Sequence, residues 1–88
     1  MLFQRIKYFN AVVEHGSFTG AARSCAVSQS AVSQQVAALE TTLGVKLIER
    51  AGRGFKLTSA GKYFYEQSKP LIRKIEGLCE DMAHLEDR

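Results

Sequence analysis

Eighty-eight residues, 45% hydrophobic and 24% charged with a single proline, suit one compact domain and exclude a two-domain enzyme. A chain this short buries only about 60% of its unfolded surface, so it lacks material for a deep substrate pocket, and binding is a better expectation than catalysis. The net charge of +3 is unevenly placed: residues 1–56 hold seven bases against three acids, a balance of +4, while residues 57–88 hold five against six, a balance of −1.

From Leu2 to His15, Leu2, Ile6, Phe9 and Val13 recur at steps of four, three and four, which predicts an amphipathic helix with Phe3 and Val12 beside the stripe. Gly16 ends it, and Ser17 can cap a short second helix, about Phe18 to Cys25, in which Ala21 and Ala22 allow another helix to approach closely. Ala26-Val27-Ser28 reads as a tight turn, and Ser28 opens a third helix from Gln29 to about Leu43, stopped at Gly44. Two helices three residues apart form a helix-turn-helix pattern. Val32, Val36, Leu39 and Leu43 make the apolar back of the third helix. Gln29, Ser30, Ser33 and Gln34 make a hydrogen-bonding front.

Between Lys46 and Thr58 the period changes: Leu47-Ile48 and Phe55-x-Leu57 flank Ala51-Gly52-Arg53-Gly54, a hairpin with glycines at its tip. Thr58 can cap a last helix from Ser59 to about Glu86, where Gly61, Phe64, Ser68, Leu71, Ile75, Leu78, Met82 and Leu85 form a heptad seam. Such a helix spans roughly 42 Å at 1.5 Å per residue, longer than the body is wide. Its distal half therefore needs a second chain, with Phe64, Leu71, Ile75, Leu78, Met82 and Leu85 as the dimer interface. Pro70 inside it predicts a kink or a restart near Ser68 or Lys69. The fold expected is mainly α, a winged helix-turn-helix over residues 1–58 followed by a linker and dimerisation helix over 59–88.

Polar side chains at the start of a helix suit major-groove reading, because they both donate to and accept from base edges; the bland alternative is a solvated face. Gln29, Ser30, Ser33 and Gln34 take that role here. Arg53, between two glycines at the hairpin tip, suits a narrow electronegative minor groove, against the alternative of a mobile solvated arginine. Ser17, Thr19, Arg50 and Lys56 suit phosphate contacts, although Arg50 could equally pair with Glu49 or Glu40. Cys25, Cys79, His15 and His84 match no metal-ligand or nucleophile spacing, and no phosphate loop, paired carboxylates or nucleophile elbow is present. No metal, cofactor or catalytic residue is expected. Nor is a secretory leader or membrane span, and the default location is the cytoplasm.

Taken as a set, Phe9 with Gly16-Ser17-Phe18 and Ala21-Ala22, Val27 to Ser33, Leu39-Glu40 with Leu43-Gly44, Leu47 to Arg50, and Leu57-Thr58-x-Ala60-Gly61 resemble the N-terminal domain of the LysR-type transcriptional regulators. The resemblance covers Leu2 to Arg88. It implies double-stranded DNA as partner, residues 29–56 facing an interrupted palindromic operator, and linker helices pairing antiparallel in a homodimer. Cys25, Ile48 and Ser30 stand where the family usually carries leucine, phenylalanine and often proline. Family members carry an effector-binding domain after the linker helix, so a small-molecule effector is expected only through a domain beyond this chain. The rival reading is a winged-helix protein-interaction module, against which the clustered bases of the hairpin weigh.

Overall fold

The computed structural model describes residues 2–52 and 54–86. In chain order it runs α1 (Leu2–His15), α2 (Phe18–Cys25), α3 (Gln29–Leu43), β1 (Ile48–Ala51), β2 (Gly54–Leu57) and α4 (Ser59–Glu86). Hydroxyl caps set the helix starts. Ser17 Oγ accepts from the Gly20 amide at 2.9 Å, Ser28 Oγ from Ala31 at 3.0 Å and Thr58 Oγ1 from Gly61 at 2.9 Å, each satisfying an amide that has no partner within its helix. The turn between α2 and α3 is made by Ala26 in the left-handed region, φ 58°, where a Cβ costs roughly 1–2 kcal/mol. Its neighbour Val27 donates back to the Ala22 carbonyl at 3.0 Å.

The core gathers Phe9 and Val12 of α1, Phe18, Ala21 and Ala22 of α2, Val32, Val36 and Leu39 of α3, and Leu47 and Ile48. In α1 the buried stripe runs through Phe9 and Val12, whereas Val13 is half-buried and Leu2 is 50% exposed, so the expected stripe is rotated toward Val12. Leu43, at the end of α3, is likewise exposed. Strands β1 and β2 pair antiparallel, Ile48 opposite Leu57 and Arg50 opposite Phe55. Ile48, Arg50, Phe55 and Leu57 thus share one face of the hairpin, while Glu49 and Lys56 share the other.

The base of the hairpin is tied to its neighbours at both ends. Glu40 of α3 accepts at Oε2 from the backbone amides of Leu47, 2.8 Å, and Ile48, 3.1 Å. Thr58 donates its amide to the Leu47 carbonyl at 3.0 Å and its hydroxyl to the Lys46 carbonyl at 2.7 Å. At Gly61 the backbone of α4 lies directly on the Leu47 carbonyl, and any Cβ there would overlap it. Only glycine permits that approach.

Helix α4 continues through Pro70 as one element, so the expected restart does not occur. Pro70 and Glu66 are both exposed. The carbonyl that proline deprives of a donor, four residues back at Glu66, thus sits on a solvated stretch of helix. Toward the body α4 meets α1 through Phe64 on Phe9, ring centroids 5.9 Å apart, and through a buried bond from Ser68 Oγ to Asn10 Oδ1 at 3.2 Å. Tyr65 donates to Glu14 at 3.0 Å, and Lys7 pairs with Glu76 at 2.9 Å. Beyond that the helix projects, and the molecule measures 53 × 25 × 19 Å.

Candidate nucleic-acid interface

The helix-turn-helix brings the N-termini of α2 and α3 together. Thr19, in the first turn of α2, donates its hydroxyl to Oε1 of Gln29, the first residue of α3, at 3.1 Å. Gln29, Ser30 and Gln34 are exposed and Ser33 is half-buried, while Val32, Val36 and Leu39 on the same helix are buried. At helical spacing, residues 29 and 33, and 30 and 34, stack in adjacent rows, so the four polar residues form one continuous front. Both helices end their positive poles at this corner.

The hairpin reaches the same corner through Phe18, the first residue of α2. Phe55 meets the Phe18 ring edge-on, centroids 5.7 Å apart, and the Arg50 guanidinium lies 4.4 Å from the centroid of that ring. Arg50 and Phe55 are cross-strand partners, so both point at Phe18. Arg50 makes no ion pair with Glu49 or Glu40: Glu49 is on the opposite hairpin face, and Glu40 is occupied by the amides of residues 47 and 48. The guanidinium is instead stacked on an aromatic face with its edge free for an anion. Lys56 is exposed on the other face of the hairpin. Ser17 uses a lone pair on the Gly20 amide and keeps its proton; the Thr19 proton is committed to Gln29. Arg53 lies outside the described residues.

The charge of this surface is set by what is missing from the chain. Between Glu14 and Glu40 there is no carboxylate side chain, so α2, the turn and the first turns of α3 oppose no approaching anion. The acid that ends this run is turned inward; the Glu40 side chain is 12% exposed, with Lys46 Nζ 3.8 Å from Oε1. Sequence reasoning missed Glu40 and the Phe18–Arg50 stack. The register of the hairpin pointed to the second, but nothing local marks a carboxylate that binds amides seven and eight residues onward.

Of the dimer residues expected, Phe64 is half-buried on Phe9 within its own chain, whereas Leu71, Ile75, Leu78, Met82 and Leu85 are exposed, each by 44% or more. A cleft of about 460 Å³ lies between α1, the end of α2 and α4, lined by Lys7, Glu14, Cys25, Lys69, Arg73 and Glu76 among others. It shares no residue with the polar front or the hairpin. Among the described residues no helix is long and apolar enough to cross a membrane.

Residues 3–62 match the model of the bacterial regulatory helix-turn-helix proteins of the lysR family. The HTH-type transcriptional regulator TfdT of Cupriavidus pinatubonensis is 41% identical over 76 residues, 86% of this chain and 33% of that protein. The HTH-type transcriptional activator AaeR of Escherichia coli K12 is 39% identical over 79 residues, 90% of this chain and 26% of that protein. The chain thus spans a third or less of the length of these curated relatives. Among solved structures, a BenM DBD/catB site 1 DNA complex superposes with a TM-score of 0.91 at 33% identity, covering 100% of this chain and 98% of that one. A CbnR DBD-DNA complex superposes at 0.85 with 40% identity, covering 100% of both chains.

Proposed function

This chain belongs to the LysR family of bacterial regulatory helix-turn-helix proteins, and from that premise we propose that it is a dimeric, sequence-specific DNA-binding domain of a transcription regulator. The carrying observation is the corner where α2 and the start of α3 meet, a stretch without carboxylates between Glu14 and Glu40, with Arg50 of the hairpin over Phe18 and Glu49 turned to the opposite hairpin face. A polyanion meets hydroxyls, helix N-termini and a guanidinium there. Gln29, Ser30, Ser33 and Gln34 then read base edges in the major groove. Arg53 enters the minor groove from the hairpin, and Ser17, Arg50 and Lys56, with Thr19 beside them, face phosphates.

The apolar stripe of α4 supports a homodimer, which presents two recognition helices to an interrupted palindrome. Residues 1–58 act as the reading unit and 59–88 as the connector. The role is binding, with no catalytic step, cofactor or metal, carried out in the bacterial cytoplasm where the chromosome lies. A small-molecule effector acts through a region other than this domain.

Selection of bound sequences from a random DNA pool, then anisotropy titration of the winner and a scrambled control across salt concentrations, tests this. An enriched two-fold motif, with log affinity falling linearly against log salt, is the expected result. Absence of enrichment overturns sequence reading and favours a winged-helix module that binds protein. Arg53→Ala weakens binding to the selected site. Gln29→Ala and Ser33→Ala each relax preference at one position by about 1–3 kcal/mol, and equal losses on selected and random DNA would contradict base reading by either.

A further inference from the structure

The apolar stripe of α4 has two flanks, and only one of them is charged. With Leu71, Leu78 and Leu85 at the d positions of the repeat and Ile75 and Met82 at a, the g positions beside the seam are Lys74 and Asp81, and the e positions are Ile72 and Cys79. On the e side the proximal half is occupied by its own chain: Tyr65 donates to Glu14 of α1, and Ile72 is half-buried in the cleft against α1. The g side is open. Lys74 and Asp81 are exposed, and neither makes an ion pair among the described residues. We propose that Lys74 of each copy pairs with Asp81 of the other, so that these two residues match the seam to a second copy of this chain in antiparallel order and disfavour a chain that sets like charges against them. The inference rests on the homodimer proposed above.

The pairing follows from the repeat. In an antiparallel pair of helices a positions pack opposite d positions and each g flank faces the g flank of the other helix, whereas in a parallel pair g faces e. Setting Ile75 opposite Leu78 and Leu71 opposite Met82 of the other copy brings Lys74 beside Asp81 twice, as two equivalent ion pairs along one side of the seam. A parallel pair would set Lys74 against Cys79 and gain no ion pair. The two charges are also unspent within their own helix: no Lys, Arg, Asp or Glu of opposite sign stands three or four residues from Lys74 or Asp81, while Lys62, Lys69 and Arg73 each have Glu66 or Glu76 at that spacing. Arg73 and Glu80 hold f positions, on the side of the helix away from the seam, and take no part.

The test is sedimentation equilibrium of the parent, Lys74→Glu, Asp81→Lys, an equimolar mixture of those two variants, and Glu80→Lys. Each reversal alone sets like charges face to face twice per dimer and should raise the dissociation constant about tenfold. In the mixture both contacts are again opposite in sign, so association should return to within about threefold of the parent. Glu80→Lys makes the same change of charge as Asp81→Lys one position away and should leave the parent value. If neither reversal weakens the dimer, or if mixing the two restores nothing, the ion pair is overturned while the homodimer stands. A loss from Glu80→Lys equal to that from Asp81→Lys also overturns it, because net charge would then be the cause. If the parent sediments as a monomer at every concentration, the homodimer fails and the pair falls with it.

Discussion

The two halves of α4 carry the same seven-residue repeat and meet different surroundings. Gly61, Ser68, Ile75 and Met82 form one row, and Phe64, Leu71, Leu78 and Leu85 the other. Gly61, Phe64 and Ser68, the proximal members, are covered by Leu47, Phe9 and Asn10 of their own chain. From Leu71 onward the same two rows stand bare. A heptad pattern therefore reports that a stripe will be covered and leaves open by what. The residue types tell the halves apart: the proximal half uses a glycine, an aromatic ring and a buried serine, shapes matched to one particular neighbour, while the distal half uses Leu, Ile and Met, types suited to packing against a second copy of the helix.

The sharpest way to break the proximal half is Gly61→Ala. The added methyl overlaps the Leu47 carbonyl, which is fixed by Thr58 and backed by the Glu40 bonds, so it cannot shift without moving the hairpin. Urea unfolding should show a loss of about 3 kcal/mol or more, at the upper end of overpacking effects. In the distal half the equivalent disruption is Leu78→Asp. It places a carboxylate in the apolar seam and should raise the dimer dissociation constant by about a hundredfold or more, leaving the folded body intact. Sedimentation equilibrium showing an unchanged dimer would refute that assignment of the stripe.

Ser68→Ala discriminates between the halves more finely. Removing the hydroxyl leaves the buried Asn10 carbonyl oxygen without its donor and should lower stability by about 1–3 kcal/mol, with no change in self-association. A change in dimer affinity instead would move the boundary between the halves toward the N-terminus. The smallest effect belongs to Lys7→Ala. Its partner Glu76 is the last residue at which α4 is tied to α1 by an ion pair, but the two side chains are 40% and 50% exposed. Solvent screening limits the loss in thermal stability to about 0.5 kcal/mol or less.

Most of the scaffold was legible because its determinants are local. Glycine and hydroxyl punctuation at Gly16, Ser17, Ser28, Gly44 and Thr58 sets the helix limits through bonds spanning three or four residues, and the hairpin follows from glycines between two apolar pairs. What was not legible is what depends on distant chain. The choice of Val12 over Val13 for burial depends on where α2 and α3 lie. The Asn10–Ser68 bond joins residues 58 apart. Ala26 takes a conformation that local preference assigns to glycine, and it is held there because α2 and α3 must turn within three residues. Pro70 is the reverse case, a strong local breaker overridden where the neighbouring turn of α4 is anchored by Ser68 and where Glu66, whose carbonyl loses its donor, and Pro70 are both exposed residues. For the candidate site, the polar front of α3 could be read from periodicity alone. The partner of Arg50 could not, since the pairing of Phe55 with Arg50 has to be known before both are seen to share Phe18.

The seat of α4 on the hairpin has a mechanical meaning. Because Thr58 holds the Lys46 and Leu47 carbonyls and Gly61 leaves no gap above the latter, the root of the long helix and the root of the wing have no hinge between them. The helix is then a lever rather than a tether. In a pair of such levers joined along their distal stripes, a small change in crossing angle swings both wings and both recognition helices as rigid bodies and resets the distance between the two half-sites they can grip at once.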